Sequence, residues 1–328
     1  MKILALESSC DETAAAVVEN GRRVLSNLIY TQTDLHAQWG GVVPEAAARQ
    51  HIETINPCIE AALNQSGLTL SQVDAFAATL GPGLVGSLLI GANTAKTLSL
   101  ITGKPFLGVN HLYAHVASNY LESDLEPPFL CLLVSGGHTQ LMKVSAYDQM
   151  EILGETLDDA VGEAYDKVAR LMNLPFPGGP NLDKLATTGD AKRFKLPKAS
   201  TDNPYDYSFS GLKTATLRTW EKLENPDETD KADLAASFQH TVVETLFEKT
   251  LKCADSLGIK TITIAGGVSA NSALRKRFEA LAAENPEYRV FIPKMAFCTD
   301  NAAMVAASAH FNPITRDVGQ EVFSRSLT

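Results

Sequence analysis

The strongest constraint on what this chain can fold into is an internal doubling. ILALESSCDETAAAVV near the start and LCLLVSGGHTQLMKV in the middle share one plan: a buried apolar strand, a tight polar turn and a return strand. Further on in each half, VDAFAATLGPGLVGSLL and IKTITIAGGVSANSALR share another: strand, glycine turn, helix. The likeness is of pattern and not of identity, but two pairs in the same order predict a duplicated α/β architecture.

The first half then reads as strands over Lys2–Glu7, Thr13–Glu19 and Val24–Tyr30, with the turn Ser8–Glu12 between the first two. Pro44 suits a helix start, and Ala48, Ile52, Ile55, Ile59 and Leu63 set an apolar stripe for a helix over Glu45–Asn64. A strand Val73–Thr79, the turn Gly81-Pro82-Gly83, a helix Leu84–Ile101 and a strand Pro105–Val109 follow. The second half repeats the scheme with strands Phe129–Val134, Thr139–Val144 and Met150–Gly154 and a helix Leu157–Asn173. Ile259–Ala265 is then a strand, Gly266-Gly267 a turn and Asn271–Ala283 a helix. The acidic, proline-bearing link Glu122–Pro128 separates the halves. With 328 residues, two domains are expected. They are an N-terminal lobe 1–127, completed by about 300–328, and a C-terminal lobe 128–299 carrying an insertion at about 174–230. That insertion holds a basic run, Lys192, Arg193, Lys195 and Lys198, and a stretch so long is expected to bind something.

Paired lobes that each open on a three-strand meander, with glycine turns facing each other across a cleft, form the plan of the actin-like ATPases and sugar kinases. The amides of such turns can gather several donors on one phosphate. Ser8–Glu12 and Ser135-Gly136-Gly137-His138 are the phosphate-turn candidates, and Gly266-Gly267 leading to Asn271 offers close backbone approach and a helix start.

Directly after the strand Pro105–Val109 come His111 and His115, four residues apart and so on one helical face. The spacing suits a shared metal ion or, equally, two histidines at a helix start. Zinc peptidases with this spacing need a Glu after the first His, and Leu112 stands there. Asp11 and Glu12 offer carboxylates as magnesium ligands, as a base, or as turn residues. Asp159, Glu163 and Asp166 fall on one helical face, Asp159 and Glu163 reading best as a solvated face balanced by Lys167 and Arg170. Asp300, by itself, reads as the N-cap of a helix over Ala302–Ala309.

Composition narrows the class. No apolar run approaches the roughly 18 residues of a membrane span, and the N-terminus shows no signal-peptide cleavage site, so a cytoplasmic protein is expected. The five scattered cysteines form no CxxC pair and suit reduced thiols. A net charge of −10 opposes autonomous binding of nucleic acid unless a local basic patch or a helper subunit supplies it.

The strings ESSCDET, HAQWGGVVPEAAAR, GPGL, NHLYAH, VSGGHTQL, LGETLDDAVGEAYDKVAR, PGGP, YSFSGLKT, AGGVSAN and CTDNAAM run from Met1 to about Ala306. In that order they resemble the TsaD-type tRNA N6-adenosine threonylcarbamoyltransferases, formerly the O-sialoglycoprotein endopeptidase or glycoprotease family. The resemblance implies an actin-like (ASKHA) fold of two duplicated RNase H-like lobes with a cleft between them. It implies transfer of a threonylcarbamoyl group from threonylcarbamoyl-AMP to N6 of the adenosine beside the tRNA anticodon. By position it makes His111, His115 and Asp300 ligands of one divalent metal ion, overriding the cap reading of Asp300. Iron(II) is favoured and zinc is the other candidate. It gives Val134, Ser135, Gly136, Gly137, His138, Asp166, Gly179, Asp183 and Asn271 to the adenylate, with ATP or ADP as other occupants of the same cleft. Asp11, Glu12 and His138 are the candidates for the base that takes the N6 proton. Implied partners are tRNA, a TsaB-like paralogous subunit forming a heterodimer, a TsaE-like P-loop ATPase and a TsaC-type synthase that makes the adenylate, with no membrane. The basic run of the insertion is expected to supply part of the tRNA surface. The rival readings are a metal-dependent glycoprotease, a non-catalytic nucleotide-binding scaffold, and a sugar or acetate kinase.

Overall fold

The computed structural model describes residues 1–325, so the last three residues of the expected 300–328 segment lie outside the described residues. The chain divides into two compact units: Met1–Glu126 together with the chain from Pro293 onward, and Pro127–Ile292.

The first unit is built on five strands, β1 (Lys2–Glu7), β2 (Glu12–Glu19), β3 (Arg23–Thr31), β4 (Ala75–Gly81) and β5 (Phe106–Asn110). They lie in the order β3-β2-β1-β4-β5. β1, β2 and β3 form an antiparallel meander, and β4 and β5 extend it in parallel. Leu4 in β1 lies opposite Val17 on one side and Phe76 on the other. Nearly every residue of β1, β2, β4 and β5 is buried, as expected of a sheet covered on both faces. The helices before its end are α1 (Thr33–Ala37), α2 (Pro44–Ser66), α3 (Val85–Thr102) and α4 (His111–Ala117).

In α2 Pro44 occupies the first turn and Gly67, at φ 68°, closes the end. Its buried stripe differs from the expected one. Ala47, His51, Ile55, Cys58 and Ala62 face the sheet, while Ile52 is 60% exposed. The stripe is rotated because His51 has two partners inside: Nδ1 lies 2.7 Å from the Thr13 hydroxyl and Nε2 3.0 Å from the Cys10 carbonyl oxygen. A fully bonded imidazole is more at home in the interior than an apolar count allows.

The second unit holds β6 (Phe129–Val134), β7 (Thr139–Ala146), β8 (Gln149–Glu155), α5 (Val161–Leu171), α6 (Gly178–Ala186), α7 (Ser210–Glu221), α8 (Glu228–Leu257), β9 (Thr261–Ala265), α9 (Ser272–Glu284) and β10 (Arg289–Phe291). Its sheet order, β8-β7-β6-β9-β10, is the first sheet's order over again, with the same antiparallel meander and parallel extension. The chain then returns to the first unit through α10 (Ala302–Phe311), buried from Ala302 to Ala309 and packed on α4 and on the first sheet.

Two helical expectations need correction. α5 begins at Val161 and not at Leu157, so Asp159 stands in the preceding turn and off the helix. There it accepts from Lys167 and Lys213, each at 2.6 Å, while Glu163 pairs with Lys167 at 2.8 Å. These pairs hold Asp159 below the usual carboxylate range in spite of its burial. The second correction is α8, a helix of 30 residues that the apolar spacing does not announce. The stretch 174–230 is not a structureless loop: it holds α6, α7 and the first residues of α8. Among the described residues no helix is long and apolar enough to cross a membrane.

Candidate functional site

In the first unit the site begins with Asn110, the last residue of β5. Its side-chain oxygen accepts from the amides of Leu112 and Tyr113 and so caps α4. The cap makes His111 the first helical residue and sets His115 one turn on. Their rings meet edge to face, 4.6 Å between centroids. Asp300 comes from the turn before α10, whose cap is Asn301, accepting from the Met304 amide; the cap expected of Asp300 belongs to its neighbour. Asp300 Oδ1 lies 3.1 Å from His115 Nε2 and 3.6 Å from His111 Nε2. Two imidazole nitrogens and one carboxylate oxygen thus lie within 4.8 Å of one another.

Behind His111 lies a residue that sequence reasoning does not single out. Glu7, fully buried at the end of β1, places Oε2 3.4 Å from His111 Nδ1, and the Ser9 hydroxyl lies 3.2 Å from the same nitrogen. The carboxylate is fixed in turn by the Thr79 hydroxyl at 2.6 Å and the Ser9 amide at 2.5 Å. A carboxylate on the far nitrogen of a ligating histidine sets the tautomer that leaves the near nitrogen free to bind. The only sequence signal for it is an acidic residue closing an apolar strand.

Electrostatics agree with a cation site. Burial opposes charge on His111, but Asp300 and Glu7 outweigh it and raise the imidazole to about 9. Burial likewise opposes charge on Asp300, and the two histidines hold it at about 2. Glu7 is held below the usual range by His111 against its own burial. Glu12 moves the other way, raised well above the usual range by burial and by the charges of Asp300 and Asp11. So much buried negative charge around two imidazoles is what a divalent ion would neutralise, and two histidines with one carboxylate are a donor set for iron or zinc. The residues present fit the metal.

The turn that carries Asp11 and Glu12 is tightly held. Leu84 donates its amide to Ser9 O at 2.8 Å, Ser8 Oγ donates to Ser87 O at 2.8 Å, and His51 holds Cys10 O. A Cβ on Gly83 would meet Ser9 O at 2.6 Å and one on Gly91 would meet Ser8 Oγ at 2.6 Å. Because the Ser9 amide belongs to Glu7, it is not among the phosphate donors expected of this turn.

In the second unit the expected substrate residues gather at the carboxyl ends of β6 and β9. Ser135 and His138 close the β6–β7 turn: the Ser135 amide donates to His138 O at 2.8 Å and the His138 amide to Ser135 Oγ at 3.0 Å. This leaves Gly136 and Gly137 exposed at the tip, their amides without a protein partner among the described residues. α5 packs against the turn through Gly162, where a Cβ would lie 2.7 Å from Ser135 O. Val134 O is covered by Gly266, which has φ +86° and room for no Cβ, since one would lie 2.4 Å from that oxygen.

The remaining expected residues bind one another or their neighbours. Asp166 accepts from the Gly179 amide at 3.0 Å at the start of α6; burial raises its carboxyl in spite of that bond. Asp183 accepts from the amide and hydroxyl of Ser272 at the start of α9. Asn271 caps α9 through Leu274 N and donates to Gln239 Oε1 at 2.9 Å. These residues hold two helix starts beside the glycine turn.

Comparison with known proteins follows the same lines. The family profile described as "TsaD: tRNA N6-adenosine threonylcarbamoyltransferase" matches residues 23–307. A tRNA N6-adenosine threonylcarbamoyltransferase of Microcystis aeruginosa is 54% identical over 314 residues, covering 94% of this chain and 90% of its own. One of Clostridium perfringens is 50% identical over 321 residues, covering 97% and 94%. Among solved structures, HypF of T. kodakarensis superposes with a TM-score of 0.65 at 16% identity, over 94% of this chain and 47% of HypF. Component A of the Acidaminococcus fermentans (R)-2-hydroxyglutaryl-CoA dehydratase gives 0.55 at 14%, over 94% and 96%. Likeness at that level concerns the fold, and the fold is the actin-like ATPase fold expected from the doubled sequence.

Proposed function

This chain belongs to the TsaD family of tRNA N6-adenosine threonylcarbamoyltransferases, and from that premise we propose how its residues divide the work of the transfer. The N6 amine of the adenosine beside the anticodon attacks the carbamoyl carbon of threonylcarbamoyl-AMP. The bond from that carbon to the phosphate oxygen breaks, AMP leaves, and the amine gives up a proton.

An exocyclic adenine amine is a weak nucleophile, so the protein must orient the acyl group, receive the leaving phosphate and take the proton. The exposed Gly136 and Gly137 amides are the donors for the phosphate, and they favour charge as it develops on the departing AMP. Ser135 and Val134 shape that turn. Asp166 with Gly179, and Asp183 with Asn271, hold the starts of α6 and α9 as walls for the nucleoside. His111, His115 and Asp300 hold the divalent ion, iron(II) favoured over zinc, which when bound supplies Lewis acidity and orients the substrate. Asp11, Glu12 and His138 are the candidates for the base; burial and the charges of Asp300 and Asp11 raise the Glu12 carboxyl, which makes its ionised form the stronger proton acceptor.

What carries this assignment is one observation: three ligand-type side chains from α4 and from the turn before α10 converge within 4.8 Å. The test is mass-spectrometric detection of threonylcarbamoyladenosine on tRNA after incubation with the adenylate, comparing wild type with His111→Ala. Product from the wild type and a fall of at least a hundredfold in the variant are expected. Equal product from both would remove the metal site from the reaction.

The reaction is proposed to run in the cytoplasm with a TsaB-like paralogue as heterodimer partner and a TsaE-like P-loop ATPase. A TsaC-type synthase would deliver threonylcarbamoyl-AMP, and ATP or ADP would compete for the same turns. Co-purification of the paralogue and competition by ADP are the corresponding measurements.

A further inference from the structure

The cations expected to meet RNA are not all available. Arg193 is bound to Asp230 and to Asp233, the latter at 2.8 Å, and Lys198 is paired with Glu248 at 2.6 Å. Of the basic run only Lys192 and Lys195 have side chains without a partner among the described residues. Further cations of the second unit, unpaired among the described residues, stand at the end of α7 and on α8.

α7 has two faces. Leu212 and Thr216 are buried against the core, and Lys213 is turned to Asp159. Gly211, Thr214, Arg218 and Lys222, at helical spacing, lie on the other face, and with Pro197 they line an open hollow of about 610 Å³. Its charged lining residues are Arg218 and Lys222, and the one carboxylate of the helix, Glu221, is not part of it. Neither cation has a partner among the described residues.

A second hollow of about 370 Å³ begins at the next residue, Lys198, and is lined also by Ser200, Thr201, Lys249 and Lys252. Its carboxylate, Glu248, is already paired with Lys198. Lys249 is spent on the Asp206 carbonyl oxygen and the Thr201 hydroxyl, which leaves Lys252 free. Pro197 lines the first hollow and Lys198–Thr201 the second, so the two adjoin along one segment and form a basic saddle on a chain of net charge −10.

We propose that this saddle is where the chain holds the phosphate backbone of its RNA substrate, through Arg218, Lys222 and Lys252. The inference rests on the functional reading above and adds to it the surface that bears the RNA. Charge complementarity selects a polyanion. The open shape and the spread of the three unpaired cations over two hollows suit a string of phosphates better than a single enclosed anion. Such contacts are independent of sequence: they set position and affinity, and they weaken with salt.

The test is equilibrium binding of a tRNA transcript to the full chain across a salt series. It compares wild type, the triple variant Arg218→Ala/Lys222→Ala/Lys252→Ala, and a charge-matched control, Arg49→Ala/Lys143→Ala/Arg316→Ala. Thermal melts establish that all three are folded. The triple variant is expected to bind at least tenfold more weakly at low salt, with a slope of log affinity against log salt shallower by about two to three, since each of the three lost phosphate contacts removes roughly 0.7–0.9. The control should keep the wild-type slope.

Equal affinity and slope in wild type and triple variant would overturn the surface, as would a control that falls as far as the variant. Displacement of tRNA by polyglutamate of matched charge would assign the saddle to an acidic protein and also overturn it. Because product formation is scored separately by mass spectrometry, a wrong surface on a working transferase is distinguishable from a wrong reaction.

Discussion

Glu7 decides how His111 presents itself. With Oε2 near Nδ1 and also held by the Thr79 hydroxyl, and Oε1 tied to the Ser9 amide, the ring is held with Nε2 toward Asp300. Glu7→Gln keeps the shape but can turn an amide donor toward Nδ1, and metal affinity is expected to fall about tenfold to a hundredfold. Titration with iron(II) or zinc under anaerobic conditions would measure it, and an unchanged affinity would leave Glu7 a purely structural residue. His51 gives a pH prediction. Burial lowers its pKa from 6.5, so the unfolded state takes up a proton first. Its contribution is in full force above about pH 6.5 and is lost as pH falls through the folded value. Urea titrations between pH 5 and 7 should show wild type losing stability more steeply than His51→Gln. At this scale the sequence is partly legible. The i, i+4 histidines declare their shared face, but Glu7 and His51 do not, because their partners lie in other strands and helices. In Thr299-Asp300-Asn301 all three residues have capping chemistry, and nothing local says that Asn301 takes the cap and frees Asp300.

Helices and strands are readable where burial is one-sided or the apolar run is short and closed by a turn. β1 and β6 fall on their expected residues, since a run of five or six buried residues ending in a polar turn leaves few alternatives. α8 escapes notice for the opposite reason. From Ala232 to Gln239 it is buried without a break, among them Asp233, Ser237 and Gln239, so no polar stripe marks its period. The expected start of α5 is too early because Leu157 extends an apolar spacing that the ion pairs of Asp159 interrupt. Two substitutions probe these elements. Gly162→Ala would push a methyl against Ser135 O and Gly136 N; a loss of about 1–3 kcal/mol is expected from the overpacking, with product formation falling further than stability as the Gly136 and Gly137 amides shift. Calorimetry and product assay together check it. Asp166→Ala removes the acceptor from the start of α6, and a loss of about 1 kcal/mol, as for other lost caps, is expected in denaturant melts.

For the whole molecule, the repeat in the sequence foretells the repeat in the sheets, because strand order follows from a meander followed by parallel crossovers in each half. The proposed metal ligands belong to α4 and to the turn before α10, so an ion held there would tie together the two stretches of chain that make up the first unit. An ion that binds only the folded state adds about 2.7 kcal/mol at a hundredfold excess over its dissociation constant. Chelation is therefore expected to lower the melting temperature of the first unit, and Asp300→Ala to lower it equally and abolish its response to chelator. A chelator effect that persists in Asp300→Ala would place the ion elsewhere.

α10 and Asp300 reach the first sheet only after every residue of the second unit has been made. A nascent chain leaving the ribosome carries both imidazoles early and must wait for the carboxylate, so the full proposed ligand set exists only once the second unit has been made. Truncated products would emerge inert, and late arrival of one helix makes completeness a condition of loading.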